Sequence, residues 1–110
     1  MYARIARFEG GDPSRIDEQV AGMKRQVDEL RSGQMPADAP KQMSTLTETV
    51  VRLMELVDRT SGTALGITFY ETEEDLRRAH AALDEMSPDD GGGRRTSVEF
   101  WEVALDESFR

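Results

Sequence analysis

The segment Thr63–Met86 has the clearest pattern of apolar and polar positions in the chain, and it predicts a strand that leads into a helix. Apolar residues first alternate at a period of two, which is typical of a strand, at Leu65, Ile67 and Phe69. They then recur every three or four positions, which is typical of a helix, at Leu76, Ala79, Leu83 and Met86. Thr72, with Asp75 three residues later, predicts the start of the helix, because a threonine hydroxyl can accept a hydrogen bond from an unpaired backbone N–H there.

The N-terminal third predicts a similar pair in the same order. Tyr2–Glu9 alternates as a strand does, and two glycines end it. The sequence Asp12-Pro13-Ser14 predicts a helix start, since proline suits the first turn and either neighbour can cap it. One apolar stripe follows, and Gly33 predicts the end of the helix; the stripe consists of Ile16, Val20, Met23, Val27 and Leu30.

The middle of the chain permits two interpretations. Gln34–Ser44 contains two prolines and no period, which predicts a loop. The apolar residues that follow would fit a helix, but many β-branched residues and a turn-forming sequence at Asp58–Gly62 favour a strand and a hairpin. We therefore predict a strand over Glu48–Asp58, with room for a helical turn before it.

The C-terminal part predicts a loop, a strand and a tail. Ser87–Gly93 contains three consecutive glycines but lacks the G-x-x-x-x-G-K-[ST] pattern of a phosphate-binding loop, so we predict a flexible connection. Arg94–Leu105 predicts the last strand, and Asp106–Arg110 a short tail.

The order strand, helix, strand, strand, helix, strand predicts the fold. It indicates a single α+β domain over residues 1–110 with a ferredoxin-like βαββαβ topology, a four-stranded antiparallel sheet and two helices on one face. The last strand has apolar residues on both faces, Val98 and Phe100 on one and Trp101, Val103 and Leu105 on the other. Because helices cover only one face, we predict a homodimer that packs sheet against sheet.

Composition limits the classes of partner. The chain has 14 Lys and Arg against 22 Asp and Glu, a formal charge of −8, which disfavours nucleic acids and anionic membranes as partners. It has no cysteine, so disulfides, thiol catalysis and cysteine metal sites are excluded. The first residues include no apolar run typical of a signal peptide or a membrane span, and we expect a cytoplasmic location.

The sequence LGITFYETEEDLRRAHAAL resembles the strand–turn–helix segment of the antibiotic-biosynthesis-monooxygenase-like group in the dimeric α/β-barrel superfamily. Tyr70 occupies the position of an aromatic residue, commonly a Trp, and Thr72–Asp75 matches the acidic start of the helix. The sequences LVDRTSG and VEFWEVAL also fit the group's hairpin and closing strand. The resemblance implies a homodimer whose two sheets form a shared barrel, with a pocket between helices and sheet in each subunit.

The chain also departs from this group. The Pro-Gly segment that usually precedes the second strand is missing, and the chain contains no asparagine. The haem-degrading branch uses an Asn, a Trp and a His, and neither Trp101 nor His80 falls where that branch places its own. The cofactor-independent quinone-forming oxygenases also use an Asn. We therefore expect no haem and no other cofactor, and we assign no catalytic residue.

Three residues are candidates for binding a small molecule. His80, the single histidine, is predicted to face the sheet, where it could act as a general base or simply pack with a hydrogen bond. Packing is the favoured interpretation because no second catalytic group is identifiable. Tyr70 and Trp101 could stack a flat ligand, with Arg4 or Arg7 orienting an anionic group, although aromatic residues on strands more often belong to a core or an interface.

Two functional hypotheses remain. The first is a dimeric protein without assigned activity that binds a small apolar or aromatic molecule or acts as an accessory subunit. The alternative is a cofactor-independent monooxygenase acting on an aromatic or quinol-like substrate. No metal site is expected, because there is no second histidine and the acidic residues Glu73, Glu74 and Asp75 suit a helix start.

Overall fold

A four-stranded antiparallel sheet with helices on one face forms the protein in the computed structural model, which describes residues 1–33, 41–86 and 93–110. The strand order is β2-β3-β1-β4, so the first and third strands of the chain lie at the centre. This α+β arrangement is compatible with the predicted ferredoxin-like fold. The elements are β1 Tyr2–Glu9, a 3-10 turn Pro13–Arg15, α1 Ile16–Arg31, α2 Lys41–Thr49, β2 Arg52–Val57, β3 Ala64–Tyr70, α3 Glu73–Glu85 and β4 Arg94–Glu102.

The predicted start of α3 is confirmed, and the cap predicted for the first helix lies on the short 3-10 turn that precedes α1. The Thr72 hydroxyl accepts a hydrogen bond from the Asp75 backbone N–H at 3.0 Å, and three acidic residues occupy the first turn of α3, where the helix dipole favours them. The Asp12 carboxylate likewise accepts from the Ser14 backbone N–H at 2.9 Å. Asp12 thus caps the 3-10 turn Pro13–Arg15. The helix α1 begins after this turn, at Ile16, with no side-chain cap of its own.

The prediction for the middle of the chain was wrong in part. Lys41–Thr49 is a helix. It overlaps the end of the loop predicted at Gln34–Ser44 and the start of the strand predicted at Glu48–Asp58. Residues 34–40 lie outside the described part of the chain. The fold therefore has a third helix. Within this helix the hydroxyls of Thr47 and Thr49 are satisfied, because each donates to the backbone carbonyl four residues earlier.

Packing explains why this segment is helical. Leu46 and Val50, in and just after α2, contact the buried cluster of Tyr70, Leu76 and Ala79, which joins α3 to the sheet. The strand then begins at Arg52 and not at Glu48. Contacts with α3 thus override the weak strand preference of the β-branched residues.

The last strand is shorter than predicted. β4 ends at Glu102 and not at Leu105, and the backbone N–H of Val103 donates to the Met1 carbonyl at 2.8 Å. Asp106–Arg110 has no regular secondary structure and is exposed, as the predicted tail should be. Of the connection predicted at Ser87–Gly93, residues 87–92 lie outside the described part of the chain.

The sheet has two different faces, which its register defines. On the helix-covered face lie Arg4 and Phe8 of β1, with Glu55, Gly66 and Phe100 on the neighbouring strands. The other face, here called the open face, has no helix of the described residues packed on it. Its large apolar side chains are Ile5, Met54, Leu56, Leu65, Ile67, Phe69 and Trp101.

Candidate functional site

A cavity of about 530 Å³ lies between α1 and the sheet. It occupies the helix-covered face near the end of β1 and the start of β3, where α1 passes over the sheet. Its apolar lining comes from both sides: Phe8, Ile16, Val20, Met23, Val57 and Ala64. A space of this size and composition is typical of sites for small organic molecules.

Three carboxyl groups line this cavity, and one of them, that of Glu55, stands on the sheet. Glu55 lies on β2, and its partner across the sheet is Gly66 of β3. Because Gly66 has no side chain, the Glu55 carboxyl extends over it: the point where a Cβ of Gly66 would stand is 3.4 Å from Glu55 Oε2. The same point is 3.9 Å from Cε2 of the Phe8 ring. The carboxyl group and the ring therefore lie side by side on the floor of the cavity.

The surroundings change the acidity of this group. Burial raises the pKa of Glu55 from 4.5 to about 7, because an apolar environment disfavours the charged carboxylate. Among the described residues, no ion pair involves Glu55 to offset this cost. Near neutral pH the group is divided between its protonated and ionised forms. It can therefore donate or accept a hydrogen bond, or transfer a proton.

Two close contacts between backbone segments form one end of the cavity. Gly62 and Gly93 have φ angles of 80° and 89°, a region that side chains disfavour. A Cβ atom on Gly62 would collide with the carbonyl oxygen of Gly11, and one on Gly93 would lie 2.6 Å from the carbonyl oxygen of Glu9. Glycine is therefore required at both positions, where the β2–β3 connection and the residue before β4 approach the backbone at and just after the end of β1.

Two of the predicted site residues lie under the helices but outside this cavity. Tyr70 is fully buried in the core, and its hydroxyl is 2.6 Å from Thr68 Oγ1. His80 faces the sheet, as predicted. Arg4 Nε donates to His80 Nδ1 at 3.1 Å, and the Phe100 ring stands edge-on to the imidazole with 4.9 Å between ring centres.

The environment keeps His80 neutral at pH 7. Burial, followed by the positive charge of Arg4, holds the pKa of His80 below its ordinary value. The hydrogen bond from Arg4 uses the lone pair of Nδ1, so the ring proton resides on Nε2. This contact supports the favoured interpretation of a packed, hydrogen-bonded histidine.

The third predicted site residue is on the opposite side of the sheet. Trp101 lies on the open face, is 56% exposed, and donates its indole N–H to Glu99 at 3.0 Å. Within one chain, Tyr70 and Trp101 therefore cannot stack against the same ligand. Arg7 also lies on the open face, whereas Arg4 is buried beside His80. The proposed ligand-binding roles of Tyr70, His80 and Trp101 stay predictions.

Sequence reasoning missed Glu55. A signal was present: Glu55 falls between Leu53 and Val57 at the period of two, so it shares their face of the predicted strand. A charged residue is seldom placed on the apolar face of a strand unless it is paired or has a functional role. Its neighbour Gly66, however, becomes meaningful only when the register of β2 against β3 is known.

The described residues include neither a metal-binding cluster nor a membrane-spanning helix. No three or more His, Cys, Asp or Glu side chains in this part of the chain are grouped so that they could hold a metal ion. No helix within it is both long and apolar enough to cross a bilayer.

The fold and the cavity together define a small α+β protein with a candidate ligand site between its first helix and its sheet. Comparison of the sequence with protein-family models gives no match, and no curated protein matches it significantly. The geometry of the cavity and the chemistry of Glu55 are therefore the features that indicate a function.

Proposed function

We propose that this protein is a homodimer that binds a small apolar or aromatic molecule in the cavity between α1 and the sheet. The observation that carries the proposal is the cavity itself, about 530 Å³ with apolar side chains from both α1 and the sheet. Burial of apolar ligand surface supplies affinity, and the single carboxyl group on the cavity floor fixes orientation.

A cavity-filling substitution tests the ligand site. Val20 projects from α1 into the cavity, and Val20→Trp should fill part of the space. Ala21→Trp is the matched control, since Ala21 is the exposed next residue of the same helix and does not line the cavity. We expect naphthalenes, quinones or polyphenols to raise the melting temperature of the parent and of Ala21→Trp, but not of Val20→Trp. If no probe stabilises the parent, or if Val20→Trp responds equally, the cavity is not the site.

The open face supports the dimer. It carries a contiguous set of large apolar side chains, of which Leu56 and Trp101 are 45% and 56% exposed in the single chain. Exposed apolar patches of this kind mark interaction surfaces, and a second copy offers the same surface in a two-fold arrangement. Sheet-to-sheet packing of two copies would give the shared barrel that the family resemblance implies.

The dimer has its own test. Light scattering at micromolar concentration should report twice 12.4 kDa for the parent. Leu56→Arg should produce a monomer, because it places a charge among the apolar side chains of the proposed interface. Val51→Arg is the control: Val51 is similarly exposed, at 48%, but precedes β2 and lies outside the strands. A monomeric parent, or a dimer that tolerates Leu56→Arg, would refute this assembly.

A second candidate function is that of a cofactor-independent monooxygenase for an aromatic or quinol-like substrate. Glu55 is the observation that favours it, since a carboxyl group with a pKa of about 7 in an apolar cavity can accept the proton of a phenolic hydroxyl. Oxygen uptake with a panel of quinols measures the activity, and Glu55→Gln should abolish it. Equal uptake by the parent and Glu55→Gln, or none by the parent, would exclude this role.

A further inference from the structure

We propose that the ligand of the α1–sheet cavity carries a positively charged amine group, which binds between the Glu55 carboxylate and the Phe8 ring. This inference rests on the proposed function of the cavity as a ligand site and names the chemical class that the site selects. An aromatic or aliphatic body would occupy the apolar part of the cavity, and the amine would lie on its floor.

The floor of the cavity provides both groups that proteins use to bind organic cations. Glu55 Oε2 and Phe8 Cε2 lie 3.4 Å and 3.9 Å from one common point above Gly66. A carboxylate pairs with an ammonium through charge-assisted hydrogen bonds, and an ammonium that lies over the face of the Phe8 ring gains cation–π attraction in addition. The missing side chain of Gly66 leaves room beside both groups.

The charges around the cavity also favour a cation. Besides Glu55, its charged lining residues are Asp12 before the 3-10 turn and Arg25 and Glu29 on α1. Arg25 lies back along its own helix, with Nη2 3.7 Å from the point where a Cβ of Gly22 would stand. From the sheet, β1 and β3 contribute to this lining only Phe8 and Ala64, neither of which titrates. Acidic groups thus outnumber the basic one, and the chain's charge of −8 attracts cations over a longer range.

An amine would also change the ionisation of Glu55. Burial disfavours the empty carboxylate, whereas an adjacent ammonium stabilises it, so binding near neutral pH should release a proton from Glu55. With a pKa of about 7, the ionised fraction rises from about 1% at pH 5 to about 90% at pH 8. Amine affinity should therefore increase at least about tenfold over this range. The amine itself stays charged, because ordinary amines titrate near pH 10.

Three naphthalene probes of the same shape test the inference by isothermal titration calorimetry: 1-naphthylmethylamine, 1-naphthalenemethanol and 1-naphthoate. At pH 8 we expect the amine to bind at least tenfold more tightly than the alcohol, and the naphthoate to bind most weakly. Between pH 5 and 8, affinity should rise for the amine and stay constant for the alcohol.

Two variants assign the effect to Glu55. Glu55→Gln preserves the shape of the side chain and should reduce amine affinity to that of the alcohol without weakening the alcohol. Glu29→Gln removes a carboxylate from the exposed wall of the same cavity and should retain the preference for the amine.

The outcomes separate this inference from the proposed function. If the alcohol binds as well as the amine, or if Glu55→Gln keeps the preference, the amine assignment is wrong while the cavity remains a site for small aromatic molecules. If none of the three probes binds to the parent, this inference fails, and failure of the quinones and polyphenols as well would refute the cavity as a ligand site.

Discussion

Substitution of Glu55 by glutamine should stabilise the protein at alkaline pH and remove one part of its pH dependence. In the folded chain burial raises the pKa of Glu55 from 4.5 to about 7, so between these values the folded state holds a proton that the unfolded state has lost. The folded parent is therefore destabilised progressively as pH rises from 4.5 to about 7, and the effect then levels off. Glutamine stays neutral throughout and should not show this loss.

The size of the pKa shift of Glu55 determines how much stability the folded protein loses. A tenfold change in proton affinity corresponds to about 1.4 kcal/mol, so a rise from 4.5 to about 7 gives an upper limit of about 3 kcal/mol. Glu55 is only partly buried, and the cavity admits water to the carboxylate. We therefore expect about 2 kcal/mol between pH 5 and pH 8, measured as the difference between the parent and Glu55→Gln.

Urea denaturation of both proteins at several pH values from 5 to 8 provides the assay. Comparing them cancels the contribution of His80, whose lowered pKa acts in part of this range with the opposite sign. Asp12, Asp58 and Asp84 have lowered pKa values and influence stability only in more acidic solution. Glu29→Gln serves as the control and should follow the parent. A constant difference between the parent and Glu55→Gln would refute the claim that burial of this carboxyl group is unfavourable.

Two further predictions concern the groups around the cavity and the core. Gly62→Ala should destabilise the protein by about 2–4 kcal/mol in thermal or urea melts, because it adds a collision with Gly11 to an unfavourable φ angle. The control Gly10→Ala has the same sign of φ but nothing within 4 Å of the new Cβ atom, so it should cost only about 1 kcal/mol. Equal losses of stability in the two variants would contradict the collision. The His80 imidazole should titrate below 6.5 by NMR, since burial and then Arg4 disfavour its charged form, and Arg4→Met should move that pKa upward; an unchanged value would mean that the Arg4 contact has no electrostatic effect.

The elements that could be predicted from the sequence are those whose signals are local. Thr72 and Asp75 are three residues apart, and the hydrogen bond between them forms within one turn. The alternation over Tyr2–Glu9 gave the bounds of β1 correctly. In both cases the signal lies within a few neighbouring residues, although β1 also needs its pairing with β3 and β4 to form.

The elements and sites that could not be predicted depend on distant contacts. For Lys41–Thr49 the local pattern allowed a helix as well as a strand, and the packing of Leu46 against the core around Tyr70 and Leu76 decides for the helix. The cavity depends on how α1 passes over the sheet, and the setting of Glu55 depends on its register with Gly66. Single residues were visible in the sequence, but their neighbours in space were not.

The close approach of Gly62 to Gly11, just after β1, limits how the shape of this cavity can change through substitution. That end of the cavity is a backbone wall, where replacing a glycine deforms the fold and does not simply resize the space. The opposite wall consists of α1 side chains such as Val20 and Met23, which can change in length and polarity while the helix persists. New ligand selectivity should therefore arise mainly through substitutions on α1. A library confined to the exposed lining positions of that helix would vary the cavity wall and leave the backbone contacts at Gly62 intact.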